Sequence, residues 1–165
     1  MKAIMFLLFI TVSHFVNAQD TIQEKADIEK VVQHFRHSII EKDSALFHGL
    51  FHEDPVIWIG VVKDRTQKKI LEREPANTKN FFRDNYRSFF KFIMKSGNQE
   101  EKFENIKIIN DDVIASVAFD YSFWNEKKMT NWGSEYWQLI KVKGHWKIVS
   151  VIYSYELTEF YPKPL

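Results

Sequence analysis

The stretch YWQLIKVKGHWKIVSVIYSYE, residues 136–156, reads as two β-strands joined by a tight turn at Lys143-Gly144. A strand with one face in water should alternate apolar and polar residues. Both parities are apolar here. Trp137, Leu139, Ile148 and Ile152 are assigned to one face, and Val149, Val151, Tyr153 and Tyr155 to the other. This hairpin therefore predicts a sheet that is covered on both faces.

The segments before the hairpin alternate between helical and strand patterns. Apolar residues at three- and four-residue steps predict a first helix with one buried stripe, formed by Ile28, Val31, Val32, Phe35 and Ile39. A short second helix, capped by Asp43 or Ser44, is predicted at 43–51, and a third helix is predicted at 77–97. Residues 63–76 are charged and predict irregular chain, with one short strand at 69–72.

Strand patterns occupy 56–62 and most of the chain after 102, where they predict a four-strand antiparallel meander. The order predicts an α+β fold in which three helices pack on a strongly bent, mainly antiparallel sheet. No internal repeat, linker or low-complexity stretch is present, so residues 19–165 are predicted to form a single domain.

The first eighteen residues have the pattern of an export signal. Lys2 precedes an apolar run, and Val16-Asn17-Ala18 supplies small residues before a cleavage site at Gln19. A membrane anchor would need about 20 apolar residues, more than this run has. We therefore expect a Sec-exported protein that is periplasmic or secreted, and that has no membrane association after signal removal.

Composition narrows the function classes. The chain has no cysteine, so an exported form would rely on its packed core, for which 45% hydrophobic residues and fifteen Phe provide the material. Nucleic-acid binding usually needs a basic patch, whereas the formal net charge is +1 and the cluster VKDRTQKK at 62–69 reads as a solvated loop. No nucleic-acid partner is expected.

The order of elements, with EKDSALFHGLFHEDPVIWIG at 41–60 and GSEYWQLIKVKGHWKIVSVIYS at 133–154, resembles the nuclear-transport-factor-2-like superfamily of SnoaL-like proteins. The resemblance implies a cone-shaped, cystatin-like roll with an internal pocket, and often a dimer partner on the outer face of the sheet. This superfamily hosts enzymes, binding proteins and transport factors, so fold alone does not decide activity.

The ketosteroid isomerases of this superfamily use a Tyr and two Asp in the pocket. In the register that the resemblance implies, Phe35, Ile59 and Gln138 occupy those three positions. The hydroxyl and both carboxylates needed for proton abstraction and enolate stabilisation are absent there. Ketosteroid isomerase chemistry is therefore not expected.

The same register predicts which residues face the pocket. The candidate ligand-binding residues are Phe35, Ile59, Phe89, Trp124, Tyr136, Gln138, Val151, Tyr153 and Tyr155. Asp120 is a candidate catalytic base if buried, because burial raises the pKa of a carboxyl group. The alternative places Asp120 at an edge or in an ion pair. Glu135 is predicted at an interface or the surface, and Trp58 in the core or an interface.

The opposite face is predicted to form a homodimer. Its apolar residues are Phe119, Tyr121, Phe123, Trp137, Leu139, Ile148 and Ile152. In a monomer these residues would form a large solvent-exposed apolar patch, which a second subunit would cover. The alternative is that the terminal segment ELTEFYPKPL, residues 156–165, folds back over that face.

No metal or cofactor is expected. His34 and His37 lie three apart and His48 and His52 four apart, but HGLFH lacks the Glu of a zinc-protease helix. There is no glycine-rich phosphate loop or G-x-S-x-G motif, and no Cys nucleophile is possible. The sequence predicts binding of a small apolar or aromatic ligand. The alternatives are an isomerase or dehydratase using Asp120 with a pocket Tyr, and a dimeric interaction domain.

Overall fold

A computed structural model describes residues 12–53 and 55–164, with side chains from residue 22 onward. The elements follow the chain in this order: α1 (Val12–Glu41), α2 (Ser44–Gly49), β1 (Ile57–Val62), α3 (Asp64–Arg73), β2 (Phe81–Arg83), α4 (Tyr86–Lys95), β3 (Gln99–Asn110), β4 (Ile114–Asn125), β5 (Lys128–Val142) and β6 (His145–Leu157).

The strands form one open sheet in the order β2-β1-β6-β5-β4-β3. Among the six strands of the described chain, β1 and β6 pair in parallel and the other four pairs are antiparallel. The core lies between this sheet and the helices, with α1 packed against β3 and β6. The predicted α+β class with a mainly antiparallel sheet is confirmed, although the described residues contain four helices rather than three.

Helix α1 buries the predicted stripe of five apolar residues. Phe35 lies at its centre, with its ring 5.2 Å from that of Phe47 and 4.8 Å from that of Trp137, centroid to centroid. Helix α2 begins at Ser44 and is capped by Asp43, one of its two predicted caps, whose carboxylate accepts a hydrogen bond from the Leu46 amide at 2.9 Å.

The segment between β1 and β3 differs from the prediction. Residues 64–73, predicted to be irregular with one short strand at 69–72, form α3, and α4 begins at Tyr86 rather than near residue 77. The Asn85 side chain caps α4 by accepting from the Ser88 amide at 2.9 Å. The preceding Phe81–Arg83 instead pairs with β1 as an edge strand, so tertiary pairing overrides a pattern that read as helical.

A register shift explains the two apolar parities of the hairpin. Leu139 pairs with Ile148 whereas Gln138 pairs with Ser150, so an extra residue of β6 is accommodated between them. Ile148 and Val151, of opposite parity, are consequently both fully buried on the inner face. The assumption of unbroken alternation was wrong, and it reversed the predicted faces of β4 and β5.

Most of the predicted dimer face is therefore core. Only Ile152 is substantially exposed, at 42%. The other six are buried within the subunit: Phe119, Tyr121, Phe123, Trp137, Leu139 and Ile148. They cannot form an exposed apolar patch, because α1, α2 and α4 already cover the inner face to which they belong.

The terminal segment lies across one end of the outer face, whereas the alternative interpretation placed it over the seven residues of the predicted dimer face, six of which are core. The indole Nε1 of Trp132 donates to the Tyr161 carbonyl oxygen at 2.8 Å, and Lys163 Nζ lies 2.8 Å from Glu104 Oε1 on β3. This contact covers part of the sheet and leaves Tyr136 and Ile152 exposed.

The first eleven residues of the predicted export signal lie outside the described residues, and residues 12–18 are part of α1. None of the helices described from residue 12 onward combines the length and apolar character that crossing a membrane requires.

Candidate functional site: an aromatic cavity with two buried glutamates

A cavity of about 370 Å³ lies between the helices and the inner face of the sheet. Its volume falls in the range of about 300–1,000 Å³ that is typical of small-molecule sites. The apolar lining consists of Phe35, Trp58, Phe82, Phe89, Phe92, Tyr121, Phe123, Tyr153, Tyr155 and Leu157. The polar lining consists of Gln99, Glu101, Asn125, Thr130, Asn131 and Glu135.

Four of the predicted ligand-binding residues line this cavity: Phe35, Phe89, Tyr153 and Tyr155. They are brought together from α1, α4 and β6. Their role in binding stays a prediction. Trp58, predicted for the core or an interface, is buried and also lines the cavity, with its ring centroid 5.1 Å from that of Phe89.

The remaining five predicted residues lie elsewhere: Ile59, Trp124, Tyr136, Gln138 and Val151. Tyr136 and Gln138 are exposed on the outer face, where Gln138 Oε1 accepts from Ser116 Oγ at 2.8 Å. They were misplaced because unbroken pairing across the hairpin would put Tyr136 on the same face as Val151, whereas the bulge in β6 shifts the pairing by one residue.

The other three misplaced residues belong to different environments. Val151 faces inward but is completely buried in the packed core beside the cavity. Trp124 stacks under Lys102, whose Nζ lies 4.2 Å from its ring centroid. Ile59 is half-buried and pairs with Ile152 in the neighbouring strand β6.

Asp120 is not a cavity residue. It lies on the outer face of β4, where its carboxylate accepts from Asn105 Nδ2 at 2.9 Å and from Ser134 Oγ at 3.1 Å. These bonds, the one from Asn105 above all, lower the pKa of Asp120 below its ordinary value. Its candidacy as a buried base is therefore wrong.

Two glutamates that the sequence did not mark as a site occupy the polar end of the cavity. Glu101 on β3 and Glu135 on β5 are each 4% exposed, and their side chains are hydrogen-bonded to each other. Tyr121 of β4 lies between them on the same face, since Glu101 pairs with Phe123 and Glu135 with Phe119. Glu135 was predicted at the surface or an interface, which is a second consequence of the reversed face.

Burial dominates the electrostatics of this pair. It raises the pKa of Glu135 to about 7, although hydrogen bonds from Trp137 Nε1, at 2.5 Å, and from Glu101 favour the ionised form. Burial, and next the charge of Glu135, raises the pKa of Glu101 well above its ordinary value. Ionising both carboxyl groups would place two like charges in contact, which is unfavourable, so the pair retains a proton at neutral pH.

Gly133 makes room for the tyrosine between the glutamates. A Cβ atom on Gly133 would lie 1.9 Å from the Ser154 carbonyl oxygen and 3.1 Å from Cε1 of Tyr121. Without it, the Tyr121 hydroxyl reaches across β5 and donates to that same carbonyl oxygen at 3.1 Å. Burial raises the pKa of Tyr121 well above its ordinary value, so this hydroxyl remains neutral.

A second tyrosine hydroxyl completes the polar part of the lining. Tyr153 pairs with Glu135 across β5 and β6, and its hydroxyl accepts a hydrogen bond from Trp58. Burial raises the pKa of Tyr153 despite that bond. The cavity therefore holds neutral phenol groups beside an acid pair, and no Lys, Arg or His belongs to its described lining.

Gln99 has an unused acceptor at the cavity. The residue is 3% exposed, its Nε2 donates to Asn125 Oδ1 at 2.8 Å, and its Oε1 has no hydrogen-bond partner. A buried acceptor without a donor is unfavourable by about 1–3 kcal/mol, so a ligand with an N–H or O–H group would relieve it.

The histidines do not converge. His34 and His37 are exposed on α1, and His48 bonds through Nδ1 to Ser44 Oγ at 3.1 Å. His52 Nδ1 lies 2.8 Å from the backbone oxygen of Glu53. No group of three or more potential ligand residues within the described chain could hold a metal ion.

Solved structures with the same architecture were found by comparison of folds. A cystatin-like, NTF2-like protein from Novosphingobium aromaticivorans superposes with a TM-score of 0.63 at 7% identity, over 88% of this chain and 90% of that one. A candidate scytalone dehydratase from the same organism gives 0.62 at 14% identity, over 85% and 89%. The chain has the NTF2-like fold.

A protein of unknown function with a cystatin-like fold, from Nostoc punctiforme, superposes on this chain with a TM-score of 0.56 at 12% identity, over 80% of this chain and 90% of that one. No family model and no curated protein matches the sequence. At such low identities the similarity establishes the fold, and the function has to be argued from the cavity itself.

Proposed function

We propose that this NTF2-like protein binds one small, mostly apolar, cyclic molecule in its cavity. The observation that carries the proposal is the lining: nine aromatic side chains surround a cavity of about 370 Å³ with two buried carboxyl groups at one end. Flat rings offer a cyclic ligand a large contact area, and a few polar groups fix its orientation. Phe82 and Phe92, which are 38% and 51% exposed, lie where the lining meets solvent.

The proposal is tested by titrating the protein with bicyclic aromatic probes and following heat and tryptophan fluorescence. We expect saturable binding with one site per chain. Phe89→Trp, which fills the cavity from α4, should weaken binding about tenfold by removing contact volume. Met94→Trp, on the exposed face of the same helix, should leave it unchanged. Absence of saturable binding for every probe, charged or neutral, contradicts the proposal.

A second candidate function is proton transfer in an isomerase or dehydratase reaction. The observation that favours it is a carboxyl group, Glu135, with a pKa of about 7 beside a cavity. This moves the acid–base role proposed from the sequence away from Asp120. Glu135 would take the proton, and Tyr153, whose hydroxyl accepts from Trp58 and keeps its own proton, would donate a hydrogen bond to the developing oxyanion.

Proton transfer can be tested without knowing the substrate. With 2-tetralone in D₂O, a working base accelerates exchange of the hydrogens beside the carbonyl, which proton NMR follows. Glu135→Gln should abolish the acceleration, whereas Glu104→Gln, an exposed glutamate on β3, should keep it. No acceleration by the wild-type protein removes this candidate.

Export and dimerisation remain proposals. Export predicts that protein recovered from outside the cytoplasm begins at Gln19, which intact-mass measurement decides; an uncleaved chain contradicts it. A dimer formed through the outer face of the sheet would use Ile59, Tyr136 and Ile152, which are neighbours there. Light scattering at about 20 μM should then give a dimeric mass that Ile152→Glu halves. A monomeric wild-type protein refutes the dimer.

A further inference from the structure

The buried glutamates are of two kinds. Among the described residues, three glutamates are buried: Glu101, Glu135 and Glu156. Glu156 has a cationic partner within the protein, since Arg65 Nε lies 2.5 Å from one carboxylate oxygen and Thr66 Oγ1 lies 2.5 Å from the other. A buried carboxylate normally requires such a partner.

Glu101 and Glu135 are arranged differently. No basic side chain contributes to the described lining of the cavity, and the only described hydrogen bonds of these two carboxyl groups are with each other and with Trp137 Nε1. The Glu156 carboxylate contacts the Arg65 guanidinium group, whereas the carboxyl groups of Glu101 and Glu135 face the cavity. A cation brought by a ligand would occupy it.

The rest of the lining suits the same kind of ligand. The faces of Trp and Tyr rings carry negative electrostatic potential and attract organic cations, most strongly where water is excluded. Tyr121 and Tyr153 both interact with the charges of the glutamate pair, and their ring centroids lie 6.1 Å apart. Trp58 lines the same cavity, with its ring centroid 6.4 Å from that of Tyr153. Gln99 Oε1 adds an acceptor that has no donor in the described chain.

We propose that the cavity selects an organic cation, a cyclic or aromatic amine whose ammonium group lies at Glu101 and Glu135 and whose ring lies among the aromatic side chains. This inference rests on the proposed ligand-binding function and specifies its ligand class. An ammonium group is a donor only, and it would meet carboxylate and amide acceptors at one end of the cavity. A carboxylate ligand would meet like charge there and is excluded.

Binding of a cation is coupled to the proton of the pair. At acidic pH the ligand must displace a proton, whereas above about pH 7 Glu135 is already ionised. The titratable groups that face the pair are Tyr121 on β4 and Tyr153 and Tyr155 on β6, all with raised pKa values, so they remain neutral. Helices α1 and α4 contribute only apolar rings to this lining, including Phe35 and Phe89.

The test uses three probes of equal shape: 2-naphthylmethylamine, 2-naphthylmethanol and 2-naphthoate. At about pH 7.5 we expect calorimetry to give about tenfold tighter binding of the amine than of the alcohol, and no binding of the carboxylate. In the Glu135→Gln variant, the affinities for the amine and the alcohol should differ by less than about threefold. Glu104→Gln should preserve the preference, because Glu104 is exposed and pairs with Lys163 outside the cavity.

A second measurement needs no variant and keeps the inference testable should Glu135→Gln fail to fold. The wild-type affinity for the amine should rise with pH between about 5.5 and 7, close to tenfold per pH unit, and then level off. Affinity for the alcohol should not rise. If the alcohol binds as tightly as the amine or more tightly, or if the affinity for the amine does not change with pH, the preference for a cation is refuted while the ligand site itself stands. Binding of none of the three probes contradicts the ligand site itself.

Discussion

Asp120 and Glu135 lie on paired strands, with Asp120 directly opposite Ser134, the residue next to Glu135. Asp120 faces outward, and hydrogen bonds from Asn105 and Ser134 lower its pKa. Glu135 faces the cavity, and burial raises its pKa to about 7. The two acids therefore differ by one residue in register but lie on opposite faces of the sheet. The outward-facing acid is ionised at neutral pH, whereas the inward-facing acid can exchange protons there, so the face of the sheet determines the chemistry.

The largest expected effect concerns the faces themselves. Trp137 is completely buried beside Phe35 and Phe119, whereas its neighbour Tyr136 is 56% exposed. Trp137→Ala should lower the free energy of unfolding by about 3–5 kcal/mol, because it deletes a large core side chain and leaves a cavity. Tyr136→Ala, the matched control, should change it by less than about 1 kcal/mol.

Urea unfolding followed by circular dichroism measures both variants. The two effects would exchange places if the register read from the sequence were right, with Tyr136 inside and Trp137 outside. Equal effects of the two substitutions would also contradict the faces described here.

The next effect in size is the pH dependence of stability. Glu135 has a higher pKa in the folded protein than its ordinary value of 4.5, so the folded state binds more protons than the unfolded state between those values. The free energy of unfolding therefore falls as the pH rises from about 4.5 to about 7, by about 3 kcal/mol for this group. The carboxyls with lowered pKa, such as Asp120, act below about pH 4 and do not oppose this trend.

Glu135→Gln isolates this contribution. At about pH 8 the variant should be more stable than the wild type, since it removes a buried charge while Oε1 still accepts from Trp137. At about pH 5 the difference should shrink or reverse. Glu104→Gln should follow the wild-type curve, and a wild-type protein whose stability does not fall between these pH values excludes the raised pKa.

The smallest effect is expected at Asp120. Asp120→Asn keeps one acceptor oxygen and replaces the other, so one of two surface hydrogen bonds is lost, and the free energy of unfolding at neutral pH should fall by less than about 1 kcal/mol. Ligand binding in the cavity should be unchanged. A loss of binding comparable to that of Glu135→Gln would return Asp120 to the site and remove the contrast between the two acids.

The sequence was sufficient for the fold because its signals are local. The stripe of α1, the Asp43 cap and the Lys143-Gly144 turn each depend on a few neighbouring residues, and the structure has all three. The segment at 64–97 was harder, since Phe81–Arg83 becomes a strand only by pairing with β1. Such pairing has no local signature.

The site was predicted less well because a bulge acts at a distance. With unbroken pairing of the hairpin, Tyr136 and Gln138 would face inward. The one extra residue in β6 shifts the pairing and turns both side chains to the outer face. Glu135 could have been found from Trp137, two residues along on the same face, once that tryptophan was assigned to the core. Glu101 lies in the hydrophilic stretch NQEEKFEN, residues 98–105, where the sequence gives no sign of burial.

The central claim is that Glu101 and Glu135 share a proton inside the cavity. Carbon-13 NMR of glutamate-labelled protein, with Glu135→Gln to assign the signals, follows each carboxyl group directly. We predict that one carboxyl of the pair titrates near pH 7 and that the other stays protonated well above the ordinary range of a glutamate. If both carboxyl groups of the pair titrate together with the exposed glutamates, the pair is solvated and the account is contradicted.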